Sequence, residues 1–259
     1  MVSFGRGGQP ISGCTPQVRP HCAGKVFCLG NSRLRPLREN MGVLEIRLFQ
    51  HYPNNALVKT LLKAFEPCSL IGSCPQARWH PEDGHIPRGF LGACAELSDV
   101  KAVLVFAEPS HPDPEDNYSN CNSPMEFLER TVIETFAHFQ NPTHGIHHNT
   151  RWFLDQIWPE KRFADQLNHV WLTEGRLCSI DDKIGNVPDN QCSTKYLMPQ
   201  LNLFPDAVVI PFGGKARKRV SRLNCPYLDG VYSLSPPGAN HTPARPSWIT
   251  AAALVRELL

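Results

Sequence analysis

The sequence predicts an α/β domain, a three-layer α/β/α sandwich around a central, mostly parallel four-stranded sheet. Short apolar segments recur along the chain: "KAVLVFAE" (101–108), "HVWLT" (169–173), "DAVVIPF" (206–212) and "GVYSLS" (230–235). Segments with helical spacing of apolar residues separate them. The apolar runs lack polar alternation, which marks strands covered on both faces, as parallel sheets require.

The elements follow in order. Residues 1–40 carry Arg6, Arg19, Lys25, Arg33, Arg35 and Arg38 against the single acid Glu39, amid Gly, Pro and Ser. Such a stretch cannot build a core and reads as a disordered basic tail. The globular pattern covers 41–259. Asn55 is the expected cap of a helix bearing Leu57, Leu61 and Phe65. "WHPEDGHIPRGF" (79–90) is loop chemistry. After the first strand, Ser123-Pro-Met-Glu126 is a capping box with Pro at the first helical position, and Leu128, Val132 and Phe136 follow on one face. "RWFLDQIW" and "EKRFADQLN" read as helices, then comes the second strand. A helix is expected over 190–204, kinked or shortened by Pro199. Beyond the third strand, Gly213-Gly214 opens a basic helix from Lys215 to Leu223. The fourth strand and a closing helix, "PSWITAAALVRELL", end the chain.

Composition bounds the function. The 259 residues are 41% apolar and 19% charged, with a formal net charge of +2. No apolar run approaches the roughly 20 residues that a membrane span needs. The N-terminus lacks the apolar core of a secretory signal, so a cytoplasmic location is expected, nuclear in a eukaryote, without secretion. The ten cysteines are then expected to be free thiols. Net charge is small, so a polyanion partner must be argued from where charges sit.

In parallel sheets, ligands bind beyond the carboxyl ends of strands. That rule directs attention to Glu108–His111, Thr173–Gly175, Gly213–Lys215 and the loop "SPPGANHTPARPSW". Each piece alone has a plain reading. Glu108 could be a strand-end acid paired with an arginine. A Gly pair is a routine strand-to-helix turn. His144, His147 and His148 have a metal-like look, but no carboxylate or cysteine is tightly spaced with them, which favours surface histidines.

Taken in order, the four segments resemble the uracil-DNA glycosylase superfamily over roughly residues 100–250. "FAEPSH" (106–111) is similar to that family's first motif, Gly-Gln-Asp-Pro-Tyr-His, with Glu108 at the aspartate and His111 at the histidine. "HTPAR" (241–245) is similar to its last motif, with Arg245 at the residue that wedges into DNA. "VWLTEGRLC" resembles the strand that ends in a base-reading asparagine, here Glu174. Three departures stand out. Phe106 replaces a glycine, Ser110 replaces the tyrosine that excludes thymine, and Glu174 replaces an amide. An ionised carboxylate only accepts hydrogen bonds. Glu174 is therefore protonated, or turned away, or the preferred base is not uracil but one such as a base with an exocyclic amine.

The resemblance implies a monofunctional hydrolase of N-glycosidic bonds in DNA, a glycosylase of base excision repair acting on uracil or a related deaminated base after base flipping. Such chemistry needs an anion near the sugar, a positioned water and donors aimed at the departing base. The implied catalytic pair is Glu108, orienting water and stabilising the cation, and His241, donating to the leaving base. Phe106, Ala107, Ser110, His111, Tyr118 (as a stacking ring) and Glu174 would form the base pocket. Gly213, Gly214, Lys215, Thr242 and Arg245 (as the plug) would contact DNA. A monomer on uracil-containing or abasic DNA is expected. No cofactor is expected. Some branches hold a [4Fe–4S] cluster through two cysteines spaced like Cys178 and Cys192, but the nearest further pair, Cys68 and Cys74, is poorly spaced for compact ligation. Two other readings remain: a low-turnover binder of damaged or abasic DNA on the same fold, and an unrelated small-molecule α/β hydrolase using Glu108 and His241.

Overall fold

The computed structural model describes residues 51–72, 74, 77–178 and 191–259. The expected basic tail, 1–40, lies outside the described residues, as does residue 190 at the start of the expected helix over 190–204. The chain is α/β, and its described residues form one mixed, mostly parallel sheet of four strands. Strand β2 (Ala102–Phe106) is its centre. It pairs in parallel with β3 (Val170–Glu174), Ala102 opposite Val170 through Phe106 opposite Glu174. On its other side it pairs in parallel with β4 (Val208–Pro211), Ala102 opposite Val208 through Val105 opposite Pro211. Every residue of β2 and β3 is buried, which accounts for the unbroken apolar run of β2 and that of Val170–Leu172 in β3.

The fourth strand is not the expected one. It is β1, the dipeptide Leu91–Gly92, antiparallel to β3 at the sheet's edge, so the order is β1-β3-β2-β4. Gly92 is required there: its φ is +104°, and a Cβ would stand 2.1 Å from the Val170 carbonyl oxygen. Residues 230–235 run beside β4 without joining the ladder. The Leu228 N–H donates to Val209 O (2.8 Å) and the Gly213 N–H to Val231 O (3.0 Å). Hydroxyls then intercept the amides that a strand would use: the Tyr232 N–H donates to Ser247 Oγ (3.1 Å) and the Ser235 N–H to Ser233 Oγ (3.0 Å). Pro211 is tolerated in β4 because the Val208 and Phe212 amides face β2, which turns the alternate position outward.

Among the described residues, seven helices accompany the sheet. Helix α1 (Asn55–Leu62) is capped by Asn54 rather than Asn55: the Asn54 side chain accepts from the Ala56 N–H (3.0 Å) and donates to Ala95 O (3.1 Å). Helix α2 (Pro124–Gln140) begins as expected, with Ser123 Oγ accepting from the Glu126 N–H (3.3 Å). Helix α3 (Gly145–Ile157) starts earlier than expected and takes His147 and His148 into its first turn. Helices α4 (Phe163–Gln166), α5 (Met198–Leu201), α6 (Gly213–Val220) and α7 (Ala244–Glu257) follow. A π turn over Ser193–Leu197 leads into α5. Pro199, with no N–H and a ring against the preceding turn, breaks the regular helix there. No helix among the described residues is long and apolar enough to cross a membrane.

The buried amide of Gln200 fastens α5 to β3. Its oxygen accepts from Trp171 Nε1 (3.0 Å) and Thr173 Oγ1 (2.8 Å), and its nitrogen donates to Tyr196 O (2.8 Å). Replacing Gln200 with Leu leaves two buried donors unmatched, at about 1–3 kcal/mol each. Urea denaturation of Gln200→Leu should show that loss; an unchanged midpoint would contradict it.

Candidate functional site

Parallel pairing sends the carboxyl ends of β2, β3 and β4 to one edge, and the polar groups gather there. Glu108 lies two residues past β2. Helix α6, which leaves β4, presents Lys215 and Arg219 on one face, four residues apart. Lys215 Nζ donates to Glu108 Oε1 at 2.5 Å. Arg219 Nη2 stands 2.7 Å from Glu108 Oε2 as an ion pair without an aligned N–H. The same guanidinium donates through Nη1 to the Ala107 carbonyl. Glu108 is thus paired with cations, as its plain reading held, yet its side chain is only 9% exposed. Burial by itself raises the Glu108 carboxyl. The Lys215 hydrogen bond and the Arg219 charge outweigh that and hold it below the ordinary carboxylate value.

Glu174 ends β3 in register with Phe106. It is 6% exposed, and its Oε2 is buried with no hydrogen-bond partner among the described residues. Burial first, then the Glu108 charge, push its carboxyl well above the ordinary value; Arg219 and Arg88 oppose them less strongly. Gly89 makes room for it. With φ +90°, a Cβ on Gly89 would stand 3.0 Å from both Glu174 Cγ and Oε1. Arg88 secures the surrounding loops, donating to Gly84 O (2.8 Å) and to Ser110 O.

The other expected residues are placed as follows. Ser110 and His111 are exposed at the same edge, with the His111 ring edge-on to buried His85 at 5.3 Å. The Ala107 carbonyl also accepts from the Arg176 N–H (3.1 Å). Phe106 turns into the core and stacks on Phe212 at 5.8 Å. Tyr118 is a core residue and not an open stacking face: it is 2% exposed, its hydroxyl donates to Glu134 Oε2 (2.5 Å), and the Arg130 guanidinium lies 5.2 Å from its ring centroid.

Gly213 gives its N–H to Val231, whereas Gly214 is open, with nothing within 4 Å of a Cβ placed there. Lys215 is engaged with Glu108 rather than held out for a phosphate. His241 follows the short turn Gly238–Asn240, exposed, with its ring 6.1 Å from Tyr232. Thr242 is exposed beside it. Arg245 is not extended: its guanidinium lies 3.4 Å over the Trp152 ring and 5.7 Å from that of Trp248.

Two clusters stand apart from this edge. His147 packs between His138 and His144, each at 5.7 Å between ring centroids, and burial plus the neighbouring imidazoles lower its pKa to about 4. The cysteines converge more than their spacing suggests. Cys178 and Cys192 are hydrogen-bonded partners, with Cys74 in electrostatic reach of Cys178. Cys74 Sγ receives Arg176 Nη2 at 3.2 Å, Cys192 Sγ receives the Leu177 N–H at 3.4 Å, and Cys68 Sγ receives Lys195 Nζ at 3.7 Å. Among the described residues, no three His, Cys, Asp or Glu side chains are arranged to hold a metal ion.

Sequence reading missed Arg88 and Gly89, and took Arg219 only as one of the positive charges near the start of the basic helix, not as the partner of Glu108. Arg219 had a legible signal, its four-residue spacing from Lys215 on the helix that leaves a neighbouring strand; Arg88 and Gly89 had none. No protein-family model matches the chain, and no curated protein matches it in sequence.

The two carboxyls have opposite effects on stability. Above the unfolded value of about 4.3, and up to its higher native value, Glu174 keeps a proton that the unfolded chain has lost, so stability falls as pH rises. The Glu108 contribution runs the other way and is lost as pH falls through its lowered native value. The melting temperature of Glu174→Gln relative to the parent should therefore rise between about pH 5 and about pH 8. A constant difference would contradict the neutral assignment.

Proposed function

We propose that the domain is a DNA glycosylase that hydrolyses the N-glycosidic bond of uracil or a related deaminated base. The observation that carries this reading is the buried Glu108 carboxylate, held ionised by Lys215 and Arg219 at the carboxyl edge of the parallel sheet. A carboxyl with a lowered pKa is a weak base, so Glu108 acts more through its charge than by taking a proton. It orients a water and faces the positive charge that builds on the sugar as the C1′–N bond breaks. The electron pair leaves with the base, where the His241 imidazole supplies a hydrogen bond to the developing oxyanion. Water adds to C1′ and leaves a hydroxyl on an abasic sugar, and the proton it gives up neutralises the departed base anion.

Gly214 at the start of α6, with Lys218 on that helix and Arg222 just past its end, offers open backbone and positive charge to a phosphate. Arg245 reaches a duplex by leaving Trp152, at a cost of about 0.5–1 kcal/mol for an exposed cation–π contact. The double clamp on Glu108 also favours a second reading, a binder of damaged or abasic DNA with little turnover, because so stabilised a carboxylate draws weakly on a water.

Against the expectation of no cofactor, the cysteine corner supports a [4Fe–4S] cluster as a proposal, because Cys74 lies in electrostatic reach of the Cys178–Cys192 pair. A cuboidal cluster takes its sulfurs from outer corners, more widely set than the ligands of one metal. Cys68, Cys74, Cys178 and Cys192 would hold it, and the Leu177 N–H, Arg176 and Lys195 already face sulfurs that must become anionic. When bound it supplies structural cross-linking or one-electron chemistry, and base release does not pass through it. Iron and acid-labile sulfide in anaerobically purified protein should be present and absent from Cys192→Ser; their absence from the parent would overturn this.

Uracil-containing single- and double-stranded oligonucleotides test the main reading. Strand scission at abasic product is expected. Glu108→Gln should lower it by about 10²–10⁴-fold, and His241→Ala by about 10²–10³-fold. Variants that work at near parental rate would remove these assignments. Absence of both product and salt-sensitive DNA binding would leave the small-molecule hydrolase.

A further inference from the structure

The Glu174 side chain is enclosed, and its surroundings leave it one chemical form. Arg219 and Arg88 are the cations in reach, and both are engaged elsewhere. Arg219 serves Glu108 and the Ala107 carbonyl; Arg88 serves the carbonyls of Gly84 and Ser110. The charge facing Glu174 from the end of β2 is the Glu108 carboxylate, with Lys215 on that carboxylate's other oxygen. Two neighbouring buried carboxyls do not both ionise. The clamp assigns the charge to Glu108, and burial agrees, because an unpaired buried anion is far costlier than a neutral acid.

A neutral carboxyl carries an O–H donor and a carbonyl acceptor on adjacent atoms. Oε2 of Glu174 has no hydrogen-bond partner among the described residues. A buried polar atom left this way costs free energy unless a ligand completes it. A ring N–H beside a C=O is a complementary ligand edge. The N–H meets the acid's carbonyl, and the C=O meets its hydroxyl. Deamination creates that lactam edge: it turns the amine and bare ring nitrogen of cytosine or adenine into the C=O and N–H of uracil or hypoxanthine. An ionised Glu174 would accept from the N–H and repel the C=O, so recognition depends on the proton.

We propose that Glu174 reads the flipped base as a neutral carboxylic acid, pairing through two hydrogen bonds with the N–H/C=O edge of a deaminated base. This rests on the glycosylase reading above. It assigns to a carboxylic acid the donor-and-acceptor role that an amide fills with no pH dependence.

The test compares kcat/KM for uracil release by the parent, Glu174→Gln and Glu174→Ala from about pH 5 to about pH 9. The parent should lose about tenfold per pH unit above the Glu174 midpoint. Glu174→Gln should stay within about tenfold of the parent at low pH and lack that limb, since an amide donates and accepts at every pH. Glu174→Ala should fall by about 100-fold or more, because it leaves the base edge unmatched. The base's own ionisation is common to all three and cancels in the comparison. A Gln variant that keeps the parental limb, or that is folded yet as inactive as Ala, would overturn the proposal. Infrared difference spectra of the unliganded protein read the acid without activity: a protonated-carboxyl band at neutral pH should be present and vanish in Glu174→Gln. Its absence from the parent overturns the proposal even where base release is seen. Base release by none of the three, with the band present, would refute the glycosylase reading and the base-reading role with it, leaving only the neutral acid established.

Discussion

The arrangement depends on β2 being hydrogen-bonded in parallel on both sides and buried along its length. Parallel pairing forces β2, β3 and β4 to finish on the same edge, and burial confines polar side chains to the last positions of the strands and beyond. Glu108, Glu174 and the start of α6 are consequences of that constraint. The backbone carbonyls at the end of β2 then act as anchors. Phe106 O receives the Gly175 amide (2.8 Å), while Ala107 O receives the Arg176 amide and the Arg219 guanidinium. Arg219 is thereby fixed beside Glu108 before any ligand arrives, and a preorganised charge costs nothing to reorganise during reaction.

Within that edge, one glutamate two residues past β2 and another at the last position of β3 acquire opposite characters. Glu108 meets two cations and keeps its charge. Glu174 meets a wall, a glycine and the Glu108 charge, and loses its own. Environments that push neighbouring titratable groups apart are how one site holds both an anion and a hydrogen-bond donor at neutral pH. In the proposed reaction the anion faces the sugar and the donor faces the base, so the division of protons between the carboxyls corresponds to a division of labour.

Much of this was legible in the sequence, because long buried strands have few alternatives to unbroken apolar runs. The segments 101–108, 169–173 and 206–212 announced β2, β3 and β4, and the polar cluster in "AEPSH" pointed to the candidate site. What escaped had physical reasons. Two residues of β1 are too few to show a period, and its placement is decided by the backbone at Gly92. The 230–235 segment has strand composition, but Ser233 and Ser247 capture its amides, and Ser247 lies in a helix beyond it. Tyr118 suggested a stacking ring because its partner, Glu134, is sixteen residues away on α2 and nothing local marks the pair. The cysteine corner joins residues more than a hundred positions apart, so spacing along the chain understated it.

The most direct measurement is a carbon-detected NMR titration of glutamate side chains, with Glu108 and Glu174 assigned by substitution. The account predicts one carboxyl, Glu108, titrating below the ordinary glutamate range and the other, Glu174, well above it, with Glu108→Gln drawing the Glu174 midpoint downward as the neighbouring charge disappears. Two carboxyls titrating together near about 4.3, indifferent to each other's removal, would contradict it.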